Sequence, residues 1–222
     1  MADPITSTRD INRAIRDQIT KSTRIKVGGL SGQNSVAVGI KEDVEITIEG
    51  NAGDFFAALN SGPVISLNGS AGRFLGDTLT GGGVIVSQSA QSGVGHAMSG
   101  GIIIVRGSIG DMGGVLKSGG SILVDGDVGN RLGMYMTGGD IIVTGVAGED
   151  TGQLMLGGAI YVRGGAKNLG DNAKVVETTQ DDATRLDTYF KHYNISAKGM
   201  EFKKIVASNP RTVSQDILGV VD

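Results

Sequence analysis

The stretch GGIIIVRGSIGDMGGVLKS, residues 100–118, is followed at once by GGSILVDGDVGNRLGMYMT, residues 119–137, which has the same length and design. In both stretches a glycine pair precedes four residues rich in branched apolar side chains, and single glycines follow at matching positions. A fixed internal period is the signature of a solenoid, in which each repeat stacks on the next. The two stretches therefore predict a 19-residue coil.

The same period extends over most of the chain and holds glycine in four registers. The first is Gly50, Gly69, Gly107, Gly126, Gly145 and Gly164, with Gln88 in the missing slot; the second is Gly62, Gly81, Gly100, Gly119, Gly138 and Gly157; the third is Gly76, Gly95, Gly114, Gly133 and Gly152; the fourth is Gly53, Gly72, Gly110, Gly129 and Gly148, with Gln91 in the missing slot. Because glycine takes positive φ at little steric cost, we interpret these residues as corners of the coil rather than as a phosphate-binding loop.

Apolar residues alternate between the corners. One set is Ile46, Ile65, Val84, Ile103, Ile122, Ile141 and Ile160; two residues on lies Ile48, Leu67, Val86, Val105, Val124, Val143 and Val162; a smaller set is Ala52, Ala71, Ala90, Ile109, Val128, Ala147 and Ala166. Alternate residues of a strand share one face, so all three sets point inward. The pattern predicts an all-β fold, a parallel β-helix of about seven regular coils. A 19-residue period, without the aspartate-rich turns of calcium-binding rolls, favours the right-handed form.

Short helices are expected at both ends of the β-helix. Ile11, Ile15 and Ile19 have helical spacing, with Thr8 or Asp10 as the predicted cap, and residues 181–193 form a second amphipathic segment. The predicted units are an N-terminal helical cap (1–23), the β-helix (24–175) and a C-terminal helix and tail (176–222). The first coil is predicted to be irregular, with strands at 25–27 and 36–38. Residues 202–206 are predicted to form a strand, and the last dozen residues to lie on a partner.

The composition excludes several kinds of site. The chain has no cysteine, so it holds no disulfide, thiolate nucleophile or cysteine-bound cluster. A net charge of −3 does not suggest a nucleic-acid partner. The first ten residues are polar, and no apolar stretch approaches the roughly 18 residues of a membrane span, which predicts a cytoplasmic protein. His96 and His192 have no ligand or triad partners at suitable spacing, so no catalytic, cofactor-binding or metal-binding residue is predicted.

One register departs from a free-standing solenoid. The residue between the two long inward sets should face outward, yet its last five members are apolar. These five, the outer stripe, are Ile85, Ile104, Leu123, Ile142 and Tyr161. An exposed apolar stripe of this size is typical of an interface. We therefore expect it to dock against a partner or against the C-terminal segment; the alternative is that the alternation fails locally and these residues belong to the core.

The coils IIIVRGSIGDMGG and SILVDGDVGNRLG resemble the GXGXG domain, the C-terminal β-helix of the glutamate synthase large subunit. The stand-alone versions are most similar, such as the third subunit of N-methylglutamate synthase and archaeal-type glutamate synthase pieces. The matching segments are 102–114 and 121–133, the opening 35–40 and 44–50, and the tail LDTYFKHYNI (186–195) with FKKIV (202–206).

This resemblance implies a structural subunit with no active site of its own. Its expected partners are a class II glutamine amidotransferase subunit and an FMN-binding synthase subunit, which would carry the FMN and the iron–sulfur clusters of a hetero-oligomer. The same β-helix occurs as one of the subunits of formylmethanofuran dehydrogenase and of the formyltransferase/hydrolase complex, which is the second interpretation. The third is a stand-alone carbohydrate-active β-helix, which we rank last because such enzymes usually carry aromatic sugar platforms.

Overall fold

The computed structural model describes residues 7–210. Its helices are α1 (Thr8–Ile19) and α2 (Gln180–His192), with a short 3-10 turn at Gly199–Glu201. Its strands are β1 (Arg24–Ser31), β2 (Glu45–Asn51), β3 (Val64–Asn68), β4 (Gly83–Val86), β5 (Ile102–Val105), β6 (Ser121–Val124), β7 (Asp140–Val143), β8 (Ala159–Val162), β9 (Ala173–Val176) and β10 (Lys203–Ala207). The strands form one sheet in the order β1 to β8, then β10, then β9.

Strands β1 to β8 are parallel, and from β2 onward each residue pairs with the residue 19 positions later. Ile103 pairs with Ile122, for example, and Ile122 pairs with Ile141. This is the predicted parallel β-solenoid, with about seven turns and a short helix at each end. The sequence prediction of the fold class is confirmed, while the right-handed winding of the β-helix stays a prediction.

The predicted inward sets fill the solenoid. The two long sets are at most 1 % exposed in β2 to β8, and the small set forms a second ladder of single bridges such as Ala90 to Ile109. Ala166, in the last coil, is half-buried because only one side of it is covered by a further regular coil. Because equivalent side chains stack every 4.8 Å or so, the core is a continuous apolar column rather than a globule.

The glycine registers have two different physical causes. At Gly114, in the third register, φ is +66°, and a Cβ would meet the side chain of Ile141. In the second register φ is ordinary, and a Cβ at Gly119 would come within 3.0 Å of the carbonyl group of Ser99 in the preceding coil. Positive φ therefore explains only some of these glycines. Close stacking of one coil on the next explains the others.

The N-terminal end is covered by α1, which packs Ile11 and Ile15 onto the first coil. The helix is capped by Ser7, whose Oγ accepts from the amide of Asp10 at 3.1 Å, so the prediction of Thr8 or Asp10 as the cap was wrong. The predicted strand at 25–27 lies inside β1. The predicted strand at 36–38 does not form, because φ is +57° at Ala37 and its amide donates to the side chain of Asn12.

The C-terminal end departs from the repeat. Helix α2 begins with a capping box between Thr179 and Asp182. The predicted tail strand is present as β10 and runs antiparallel between β8 and β9, so the chain returns to close its own sheet. The last dozen residues, 211–222, which were predicted to lie on a partner, fall outside the described range. In residues 7–210 no helix has the length and apolar character to cross a membrane.

Candidate functional site

The outer stripe is buried under the chain's own C-terminal segment. Ile104, Leu123, Ile142 and Tyr161 are fully buried, and Ile85 is half-buried at the margin. They pack in a second apolar cluster with Leu186 and Phe190 of α2 and with Ile195 and Phe202 beyond it. The sequence analysis expected either a partner or the C-terminal segment to cover the outer stripe, and in the structure the C-terminal segment covers it. A partner could touch these four side chains only after this segment had left the sheet.

A polar network fastens this segment at its N-terminal end, and its centre is Asp182. The Tyr161 hydroxyl donates to Asp182 Oδ1 at 2.6 Å, and Lys204 Nζ donates to both carboxylate oxygens at 2.9 Å. Thr179 adds its amide at 3.1 Å and its hydroxyl at 2.8 Å. Burial by itself would raise the pKa of Asp182, but these hydrogen bonds outweigh burial and hold that pKa well below its usual range.

Arg185 extends the network to the solenoid wall. Its guanidinium pairs with the carboxylate of Asp140 and donates to the Tyr161 hydroxyl at 2.6 Å. It also lies 5.5 Å from the centroid of the Tyr161 ring. Burial, followed by the hydrogen bond with Asp182, raises the pKa of Tyr161, so the phenol stays protonated and donates. We call Tyr161, Thr179, Asp182, Arg185 and Lys204 the C-terminal latch, because they join α2 to strands β8 and β10 of the sheet.

Lys117 lies inside the solenoid, close to this wall. Its register otherwise holds Asn60, Leu79, Met98, Met136 and Met155, all of which are fully buried, as Lys117 is. Its Nζ donates to the carbonyl oxygens of Gly120 at 2.6 Å and Gly138 at 3.2 Å. Burial lowers the pKa of Lys117 to about 8, while the charge of Asp140 opposes this shift. The sequence signal was the register itself, which places a lysine in a column whose other members, apart from Asn60, are apolar.

We expect Lys117→Met to remove a pH-dependent loss of stability. The folded-state pKa of about 8 lies below the usual 10.5, so the unfolded chain binds this proton more tightly. Wild-type stability should therefore rise as pH increases from about 8 towards 10.5, and below pH 8 the penalty is complete, at about 3 kcal/mol. Methionine fits the column and carries no charge, so the variant should be more stable at pH 7 by up to that amount.

Urea unfolding at pH 7.0, 8.5 and 9.5 measures this effect. The matched control is Lys167→Met, which removes a lysine from an exposed position. The control should keep the wild-type pH slope, whereas Lys117→Met should flatten it. An unchanged slope in Lys117→Met would show that this ammonium group is not the source of the pH dependence.

The two histidines have structural partners. His96 Nδ1 lies 2.7 Å from Asp77 Oδ1, and its ring packs edge-on against Phe74, which is stacked on Phe55 with 5.1 Å between ring centroids. His192 lies edge-on against Tyr193 at the end of α2. Within the described part of the chain, no group of three or more histidine, aspartate and glutamate residues could hold a metal ion.

The surface has shallow grooves but no enclosed polar site among those we describe. One groove, of about 360 Å³, runs along α2 and is lined by Arg185, Thr188, Tyr189, His192 and Tyr193. Tyr189 is held there by a hydrogen bond of 3.1 Å between its hydroxyl and that of Ser121. Another groove, of about 260 Å³, lies at the C-terminal end of the solenoid beside Val175 and Ile205.

Comparison with known proteins identifies the family to which the chain belongs. No curated protein matches the chain, but the family model described as the GXGXG motif matches residues 5–212. The glycine registers that carried the resemblance therefore agree with an independent match over nearly the whole chain. The stand-alone subunit type within the family remains a prediction. The 19-residue solenoid and the extent of this match show that the chain belongs to the GXGXG motif family.

Proposed function

We propose that the chain is a non-catalytic structural subunit of a glutamate synthase-like multisubunit enzyme of the glutamate synthase or N-methylglutamate synthase type. The family match carries this proposal, because the GXGXG domain is tied to glutamate synthase-like proteins. The expected partners are a class II glutamine amidotransferase subunit and an FMN-dependent synthase subunit. Their association would take place in the cytoplasm, because a chain without cysteine has no disulfide that this reducing compartment would break.

The architecture supports a scaffold role for physical reasons. Seven coils at about 4.8 Å each form a rod roughly 30–35 Å long. The interior of the rod is filled by stacked aliphatic side chains, so the surface is where it can act. A rod whose spacing is set by backbone ladders holds two attached proteins at a fixed separation, which suits the transfer of an intermediate between two active sites.

The cofactors of such an enzyme are assigned to the partner subunits. Iron–sulfur clusters are held mainly by cysteine thiolates, and this chain has none. We accordingly assign both the clusters and the FMN to the synthase subunit. In this proposal the chain supplies a binding surface for the two partner subunits and a fixed distance between them.

Co-expression of the chain with the two proposed partner subunits tests this function. We expect one complex containing all three chains by size-exclusion chromatography with light scattering. Glutamine-dependent glutamate or N-methylglutamate formation by the two partners should fall at least about tenfold when the chain is omitted, because ammonia or amine is then no longer handed over between fixed sites.

The same preparations separate the alternatives. Recovery of the chain with molybdenum- or tungsten-containing and amidohydrolase subunits would place it in the formylmethanofuran pathway instead. Polysaccharide hydrolysis by the purified chain alone would rule out the scaffold proposal. As a specificity control, the partner subunits are also expressed with an unrelated β-solenoid, which should not co-elute with them.

A further inference from the structure

An apolar surface remains at one corner of the later coils. Leu116, Tyr135 and Leu154 occupy the same register in three successive coils and are 50 %, 42 % and 38 % exposed. The amide of Leu116 donates to the carbonyl of Met134 at 3.0 Å, which ties its coil to the next. Met134, which is half-buried, precedes Tyr135 in the chain, and Met112, also half-buried, lies four residues before Leu116. We call these five residues the corner patch.

The backbone makes this choice of residues unusual. Leu116, Tyr135 and Leu154 have φ of 58°, 57° and 53°, the left-handed region that disfavours bulky side chains. Leu59, Thr78 and Ala97 fill the same register in earlier coils with φ of 60°, 54° and 52°, so the fold also accepts small residues there. Neither burial nor backbone preference accounts for large apolar residues at these positions.

The chain itself does not cover the corner patch within residues 7–210. The cluster beneath α2 is built on the outward residues of β5 to β8 and contains none of the five. The patch is rich in the residue types, tyrosine and methionine, that are enriched at protein interfaces. The coil stacking also holds it in a fixed shape.

The charged residues on one side of the corner patch indicate the charge of the partner that binds there. In the two registers that lie five and four residues before that of Leu116, the same three coils carry Asp111, Glu149 and Asp150 with Arg131, three carboxylates against one guanidinium. Asp111 Oδ1 accepts from the amide of Asn130 in the next coil at 2.7 Å. On the other side, two residues after Leu116 and Tyr135, come the uncharged Ser118 and Thr137. A two-fold dimer would apply the same patch of a second copy, which has no basic margin to offer. The complement is a different protein with an apolar face bordered by lysine or arginine.

We propose that the corner patch is the docking surface for a partner subunit whose apolar face has a basic border. This inference rests on the proposed function and names the surface that performs it. The outer stripe is buried beneath α2, whereas the corner patch offers apolar contact in three successive coils. Acidic side chains at its margin accelerate encounter with the basic border and fix the orientation of the two proteins.

The double variant Leu116→Asp/Leu154→Asp tests the proposal. Aspartate is more acceptable than leucine in the left-handed region, so the variant should fold, which circular dichroism and unfolding measurements check. The matched control is Thr78→Asp/Ala97→Asp, with the same two charges in the same register of other coils. Binding to each purified proposed partner subunit is measured by biolayer interferometry. For one of them we expect the double variant to raise Kd by about 100-fold or more, and the control by less than about threefold.

Three outcomes would overturn the proposal. If wild type and double variant bind a partner subunit equally well, the scaffold role stands and the corner patch is not its surface. If light scattering shows a wild-type dimer that the double variant converts to a monomer, the occupant is a second copy. If wild type binds neither subunit, both proposals fail. Charge reversal with Glu149→Lys should in addition slow association at low ionic strength and have less effect at high salt.

Discussion

Gly119→Ala is expected to destabilise the solenoid by more than about 4 kcal/mol, which would leave little folded protein. A Cβ at this position would come within 3.0 Å of the carbonyl oxygen and carbon of Ser99, and both are backbone atoms of the preceding coil. A flexible side chain could move away, but this carbonyl cannot. Hydrogen bonds such as that from the amide of Ser118 to the carbonyl of Met98, at 2.9 Å, fix the distance between the two coils.

Soluble yield and the midpoint of urea unfolding measure this effect. The matched control is Gly28→Ala, because Gly28 has ordinary φ and nothing lies within 4 Å of its Cβ position. The control should stay within about 0.5 kcal/mol of wild type. If Gly119→Ala unfolded at the wild-type urea concentration, the solenoid would have to widen between coils without losing its ladders. That result would contradict close stacking as the reason for the second glycine register.

Asp182→Ala is expected to cost about 3–5 kcal/mol and to release the C-terminal segment from the sheet. The substitution leaves the Lys204 ammonium and the Tyr161 hydroxyl without their acceptor in a largely buried place and removes the capping box of α2. The exposed Asp181 is next in sequence and provides the control. Because Asp181 is in the first turn of α2 but outside the latch, Asp181→Ala should cost less than about 1 kcal/mol.

Hydrogen exchange should show where the loss of Asp182 acts. Amides of α2 and β10 should exchange at least about tenfold faster in Asp182→Ala, while those of β3 to β5 should keep wild-type protection. In the wild type the pKa of Asp182 is lowered on folding, so its contribution is complete above the usual carboxyl pKa near 4 and is lost as pH falls below it. Protection of α2 that is unchanged in the variant would show that apolar packing alone holds the segment.

Particular residues show which features of the structure could be predicted from the sequence and which could not. Ile103 and Ile122 were assigned to one ladder from spacing alone, and they pair as predicted. Residues 36–38 looked like a strand because Val36 and Val38 alternate with Ala37, but Ala37 has positive φ and its amide donates to the side chain of Asn12 in α1, a contact that no alternation in the sequence shows. The register of Lys117 was visible in the sequence, whereas its two carbonyl acceptors were not. Three residues of the corner patch, Leu116, Tyr135 and Leu154, share a register too, but they fall in turns, where no strand or helix period draws attention to them.

The sequence by itself determined the coil length, the inward ladders and the family, because glycines and branched apolar residues recur at the same positions of every 19-residue coil. Only the tertiary structure decided what covers each surface. The outer stripe could equally have met a partner, and it is the return of α2 and β10, fastened at Asp182, that buries it. Such contacts join residues far apart in the chain, so no period encodes them. The same long-range packing buries the outer stripe and leaves the corner patch exposed.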